Sequence, residues 1–308
     1  MKALANSRNI ALLLWQLKVM KPAIHKSAIP DSQIFVVKDL KEKHFDPVWH
    51  AHSEYQLFVV LQGTGTRFIG DNIRSFRPGE LILTGPHLPH LWRNHEKYFK
   101  KNNPFEAKGI VVYLDEHFLG QNMLDKIELH KLKVLFDKSM RGLEFYGHNK
   151  LQVIKLMQEL LHLDGVRSLI NLLQILDILS TTKEYHYISS RHYSDSINEH
   201  ETDRLNKVYE YIIKNYRGKI PLGKMADMLH MTATSFSRYF SMKNNKTYSR
   251  FLGEVRVKHA CELLTETDMS VAEICYECGF NTLSNFNKQF KDIMRKKPTD
   301  YKREFMNV

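Results

Sequence analysis

The chain has 308 residues, long enough for about two domains of ordinary size, each with its own core. With 43% hydrophobic and 26% charged residues it has the composition of a soluble globular protein, and three clustered cysteines (Cys261, Cys275, Cys278) exclude a disulfide framework and point to a reducing cytoplasm. The net charge of +11 favours an acidic partner and is unevenly spread: residues 202–308 carry 19 Lys and Arg against 12 Asp and Glu, the other 201 residues 26 against 22.

At the N-terminus an apolar run, 10–14, comes after Lys2 and Arg8. It is short, Gln16 and Lys18 break the apolar character beyond it, and no small-residue cleavage pattern closes it, so neither a signal peptide nor a membrane span is expected. Met20 offers an alternative start that would leave 1–19 as an upstream extension. Between 34 and about 113 the sequence turns to short alternating or β-branched and aromatic runs, at 34–37, 55–61, 66–69, 80–83 and 109–113. Gly63-Thr64-Gly65, Gly70-Asp71-Asn72 and Arg77-Pro78-Gly79 punctuate them as turns. Strands at this spacing predict an antiparallel barrel or sandwich.

Helical spacing replaces this pattern between 117 and 182. Val153, Leu156, Met157 and Leu160 fall on one stripe, and the stretch 169–178 is almost wholly apolar. Helices over 151–163 and 166–179 are therefore expected, buried under the barrel or against a second subunit. The segment 189–202 is polar and aperiodic and reads as a linker between a domain at 20–188 and another at 203–308.

The last region holds a weak internal repeat. Phe236-Ser-Arg-Tyr-Phe240 and Phe286-Asn-Lys-Gln-Phe290 share a spacing in which two phenylalanines lie on one helix face and a basic residue points elsewhere. That division suits a helix that packs with one face and reads DNA with another. Upstream of the first, Pro221 opens a short helix whose buried face is Leu222, Met225, Ala226 and Leu229. Upstream of the second, Ser270 and Glu273 form a capping-box pattern, and Cys278-Gly279-Phe280 turns the chain at a glycine suited to a left-handed conformation. A long amphipathic helix over Tyr248–Glu266 joins the two units.

The run from Ile274 through Gly279, Phe280, Asn285, Phe286 and Phe290, with Pro298 and Tyr301 beyond it, resembles the signature of the AraC/XylS family of transcription regulators. The first unit is similar through Phe236, Arg238, Phe240, Arg256 and Ala260, so the resemblance spans about 203–305. Two positions depart from it: the glycine expected after each recognition helix is Asn245 in the first unit and Arg295 in the second. Asparagine tolerates the left-handed conformation, whereas arginine there should cost on the order of 1 kcal/mol or lengthen the helix. The resemblance implies two recognition helices in successive major grooves about one turn (~34 Å) apart. It nominates Thr234, Ser237 and Arg238 in the first and Thr282, Ser284, Asn285 and Lys288 in the second as contacts to bases or phosphates of double-stranded DNA.

His50-x-His52, Gln56, Gly63 and His90-Leu-Trp92 resemble the two cupin motifs, with Gln56 where a glutamate is usual and the second motif's glycine and proline displaced. Sensor domains of the family are cupin-like in fold and usually bind a small effector. His50, His52, Gln56, His90 and Trp92 are thus nominated as effector-binding, with ordinary buried histidines and a metal site as alternatives. Trp49, Tyr55, Phe58 and Trp92 could stack on a sugar ring, with core packing as the competing role. Cys275-x-x-Cys278 lacks a second ligand pair and reads as packing.

The expectation is an α+β chain: an N-terminal cupin-like β-barrel with a helical dimerisation segment, then an all-α domain of two helix-turn-helix units joined by a long helix. Its partners would be DNA, a small-molecule effector such as a carbohydrate, a second copy of itself and RNA polymerase, with no cofactor, no metal, no catalysis and no membrane. The competing reading is a metal-dependent cupin enzyme fused to a helical domain; a membrane-surface protein is weaker, for want of an exposed basic amphipathic helix.

Overall fold

The computed structural model describes residues 29–30, 32–115, 117–194, 199–244 and 246–306. The extension considered for 1–19, the start at Met20, and Asn245 lie outside the described residues.

The first domain is built on two antiparallel sheets. Six strands, β1 (Phe35–Glu42), β7 (Ala107–Leu114), β2 (Tyr55–Gln62), β5 (Leu81–Thr84), β8 (Leu143–Phe145) and β9 (Tyr185–Tyr187), lie side by side in that order. Three more, β4 (Asn72–Phe76), β3 (Gly65–Ile69) and β6 (His90–Asn94), form the second sheet. Strand alternation explains why β2 and β7 are apolar throughout. Leu57, Val59, Ile110 and Val112 face a layer of helices, while Phe58 and Val111 face the space between the sheets.

The helical layer is α1 (His130–Ser139), α2 (Gly147–Leu160) and α3 (Gly165–Thr181). Val153, Met157, Leu172, Ile175 and Leu176 are fully buried against the large sheet. The apolarity of these helices is thus satisfied largely within the chain. What remains outside is a smaller set: Val166 (73% exposed), Leu151 (62%) and Ile170 (51%).

The segment expected as a linker is only partly one. Ser189 and Tyr193 are buried, Ser189 exchanges hydrogen bonds with Arg141, and a short helix α4 occupies Arg191–Ser194. The next helix, α5, already begins at Glu199 and runs to Asn215. The polar sequence here bonds to neighbouring backbone, which a periodicity argument cannot see.

The second domain continues with α6 (Leu222–Met228), α7 (Ala233–Asn244), α8 (Tyr248–Glu266), α9 (Val271–Glu277), α10 (Leu283–Met294) and α11 (Pro298–Met306). Ser270 and Glu273 complete both bonds of the expected capping box, and Thr247 and Thr282 cap α8 and α10. The two units have separate cores. Phe236, Phe240 and Phe251 centre the first; Phe286, Phe290, Cys275 and Cys278 centre the second.

The domains also share apolar packing. Phe68, Ile73 and Leu91 on the outer face of the small sheet join Trp49 in one cluster with Val208, Tyr209 and Ile212 of α5. Relative motion of the two domains would have to rearrange this packing.

One buried polar device organises the barrel. Arg67 on β3, only 1% exposed, donates to Glu80 at 2.8 Å and to Glu144 at 2.6 Å, tying the small sheet to the large one. Glu80 also accepts from the Trp92 indole N–H at 3.2 Å.

Candidate functional site

The two helix-turn-helix units use the same turn with different residues. In the second, Gly279 takes φ +80° and the Phe280 N–H donates to the Cys275 carbonyl at 3.1 Å. A Cβ on Gly279 would lie 2.5 Å from the Arg217 carbonyl oxygen, so a side chain is excluded on both counts. In the first, the left-handed residue is His230 at φ 54°, and the Met231 N–H donates to the Ala226 carbonyl at 2.9 Å. Sequence reasoning missed His230. The clue was its place four residues after Ala226, as Gly279 stands four after Cys275.

Each second helix then starts from a threonine: Thr232 accepts from the Ser235 N–H and Thr282 from the Asn285 N–H. The second unit inserts one extra residue, Asn281, between turn and cap. From the caps onward positions differ by fifty, which pairs Arg238 with Lys288 and Thr234 with Ser284.

Thr234, Arg238, Thr282, Ser284, Asn285 and Lys288 are exposed, and Ser237 is half-buried. Ser237 and Asn285 border one cleft of about 330 Å³ between the units. At its base Gly253 of α8 lies against Gln289 of α10, whose amide donates to Asn285 at 3.0 Å. The absence of a side chain at Gly253 lets α10 approach the joining helix. Arg256, also on α8, donates to the Tyr216 and Gly218 carbonyls, both at 2.8 Å, and so fixes the first unit to the same helix.

Helix α10 ends at Arg295, which adopts φ 60° while its N–H donates to the Lys291 carbonyl. Of the two expected consequences of arginine at this position, the structure takes the strained turn and does not extend the helix. The cysteines are packed in the second core, and burial pushes the Cys261 thiol up to about 11 and the Cys278 thiol higher still. Protonated, buried thiols are poor metal ligands.

In the first domain, His50, His52, Gln56, His90 and Trp92 line one pocket of about 520 Å³, with Phe58 and Tyr113. Tyr55 instead stacks on Phe136 in the helix-side core, and Trp49 points out of the barrel, so neither reaches this pocket. Strand alternation sends 49 and 55 to the outer faces and 50 and 56 inward.

Each imidazole is oriented by a backbone carbonyl. Nδ1 of His50 lies 2.8 Å from the Val48 carbonyl, that of His52 3.0 Å from the Glu54 carbonyl, and that of His90 2.7 Å from the Leu88 carbonyl. A carbonyl can only accept, so each Nδ1 carries the proton. The Gln56 side-chain oxygen Oε1 sits 3.1 Å and 3.3 Å from Nε2 of His52 and His90, so it lies between the two rings. Burial pushes the Tyr113 phenol up to about 12, so it enters the pocket as a hydroxyl donor.

The cupin resemblance raises the question of a metal. One ring nitrogen from each of His50, His52 and His90 lies within 4.8 Å of the others. Three rings oriented by backbone carbonyls fit a transition metal such as zinc, although Gln56 supplies no anionic ligand.

Two family models match the chain. The helix-turn-helix domain covers 225–304 and the cupin domain 36–98. An uncharacterized HTH-type transcriptional regulator of Bacillus subtilis, YdeC, is 30% identical over 267 residues, covering 82% of this chain and 85% of that protein. The chain belongs to the AraC/XylS family of transcription regulators. This AraC-type regulator is also similar to the transcriptional activator RhaR of Mannheimia succiniciproducens, at 20% identity over 270 residues, covering 87% of this chain and 92% of the relative. The activator RhaS of Yersinia pestis is 22% identical over 256 residues, covering 82% and 87%. An AraC-type regulator binds double-stranded DNA, and these relatives carry the names of transcription regulators. Among the described residues no helix is long and apolar enough to cross a membrane.

Proposed function

We propose that this AraC-type regulator acts in the cytoplasm as an effector-responsive homodimer that reads DNA through α7 and α10. The observation that carries the reading is a pair of equivalent helices, braced on α8, whose outward residues are exposed. Arg238 and Lys288, at matching positions and both exposed, would meet phosphate or guanine in successive major grooves. Footprinting tests this directly. Each subunit should protect two major-groove patches about one turn (~34 Å) apart, and a single patch would overturn the two-helix reading. Arg238→Ala should lower affinity by about 1–3 kcal/mol if it contacts a base, with relaxed preference at that base.

The pocket supports recognition of a small polyhydroxylated ligand such as a sugar. Phe58 and Trp92 give an apolar wall, while the Tyr113 hydroxyl, Gln56 and the imidazoles give convergent polar groups. Dimerisation is assigned to the outer faces of α2 and α3, where Val166 and Ile170 remain exposed by an apolar groove at the turn between the helices and Leu151 is exposed near the start of α2. Val166→Glu with Ile170→Glu should shift the protein to monomer in light scattering; an unchanged dimer would move the interface elsewhere. RNA polymerase is the further partner if the regulator activates.

A second reading rests on the carbonyl-oriented imidazoles. His50, His52 and His90, with Gln56, would hold a divalent metal that anchors an anionic effector. Stoichiometric metal in purified protein, lost in His52→Ala, would favour it; metal-free protein that still binds a sugar would dismiss it.

A further inference from the structure

The pocket and the DNA-binding domain lie on opposite faces of a single layer of strand. On β6, His90 and Trp92 face the pocket, and Leu91 between them packs with α5. The chain at 49–50 repeats this division. His50 faces the pocket and pairs with His90 through two backbone hydrogen bonds, of 3.3 and 2.9 Å. Trp49, one residue earlier, lies against Tyr209 with ring centroids 5.0 Å apart, and its indole N–H donates to Asn206 at 2.5 Å.

From α5 the contact continues to the first recognition helix. The Tyr209 hydroxyl bonds Asn244 at the end of α7 at 2.5 Å, and Asn244 in turn donates to the Phe240 carbonyl. At the far end of β6 the chain grips the joining helix α8: His95 and Lys97 meet Glu266, and the Glu96 N–H donates to Glu262. Glu96 also pairs with Arg217, beyond the end of α5. The strand that walls the pocket thus holds both helices on which the recognition pair is mounted.

We propose that the His50–His90 strand pair transmits pocket occupancy to the first helix-turn-helix unit, with the Trp49–Asn206 hydrogen bond as the coupling link and the β6 grip on α8 as the pivot. A ligand that touches His50 and His90 displaces paired backbone whose next residues, Trp49 and Leu91, are close-packed on α5. Packed interfaces of this kind answer small displacements by changing between discrete arrangements and do not deform smoothly. The ligand moves the equilibrium only by its differential affinity for the two arrangements. The identity of that ligand rests on the effector reading above; the coupling path does not.

The test is a double-mutant cycle in the full-length protein, free of any ligand. His90→Ala perturbs the pocket side, and Trp49→Phe keeps a ring while deleting the indole donor. Hydrogen exchange along α5 and α7 is read by mass spectrometry, together with affinity for a DNA fragment recovered by genomic footprinting. His90→Ala should change exchange on α5 by about fivefold or more, and Trp49→Phe or Asn206→Ala should remove most of that sensitivity. Lys38→Ala, in the pocket but on β1, should leave α5 unchanged. Additive effects in the cycle, or an equal response to Lys38→Ala, would overturn the proposal. Should a panel of sugars fail to bind while the cycle stays non-additive, the effector reading falls and the coupling stands.

Discussion

Phe290→Ala is expected to destabilise the second helix-turn-helix unit by about 3–5 kcal/mol. The ring is 0% exposed and sits between Phe286 and Tyr301, with centroids 5.6 and 5.7 Å away. The cluster around it is small and includes Ala260, Cys275 and Cys278, so few side chains can relax into the space left behind. The first unit has its own core around Phe240 and should survive. The second unit should therefore melt before the rest of the chain in denaturation, and footprinting should lose one of the two patches. Phe290→Leu, which leaves a smaller cavity, should cost less. A loss below about 1 kcal/mol for the alanine variant would mean that the unit is not built around this ring.

Arg67→Ala should be comparably severe, at about 3–5 kcal/mol, because it strands the buried Glu80 without its cation. Burial already pushes the Glu80 carboxyl above its ordinary range, against the opposing pull of Arg67 and the bond from Trp92. Without Arg67 it rises further. A folded-state pKa above the unfolded one gives stability that is full below the unfolded pKa and lost as pH rises through the folded pKa. The penalty of Arg67→Ala should therefore be larger at pH 8 than at pH 5 in urea denaturation. Arg67→Met combined with Glu80→Gln removes both charges and should recover much of the loss. A penalty independent of pH would show that Glu80 is not the group left stranded.

The DNA-binding half was the more legible in sequence because its signals are local. The Ser270–Glu273 cap, the Gly279 turn and the four-residue spacing of phenylalanines each need only a handful of neighbours. The joining helix Tyr248–Glu266 has the bounds that its amphipathic pattern implied. His230 escaped notice because nothing in its chemistry advertises a positive φ. In the barrel, β4, β6, β8 and β9 were not read as strands: β8 and β9 are three residues long and β8 pairs far away in sequence, while β4, though hairpinned to β3, carries only Ile73 and Phe76 as apolar residues.

The five residues nominated for the pocket do line one cavity, since the motif fixed which residues alternate inward. Trp49 shows the limit of that reasoning. Its partners, Asn206 and Tyr209, stand more than 150 positions away in the other domain, and residue type alone could not decide between a place beside the ligand and a place in the core. The Arg67–Glu80–Glu144 device was illegible because only the packing of the two sheets brings together residues 13 and 77 positions apart.

The shared packing of Trp49, Phe68, Ile73 and Leu91 on α5 bears on how such regulators can be cut and recombined. A sensor severed near residue 190 would carry that apolar face into water, and a grafted sensor would have to bring a face that matches α5. Chimeras made by exchanging domains at the apparent junction should therefore fail through insolubility before any question of signalling arises. Those that exchange the sensor together with α5 move the mismatch to Val208, Tyr209 and Ile212 against the first unit's core. The unit of modularity in this chain is a surface, and its seam runs between layers instead of along the backbone.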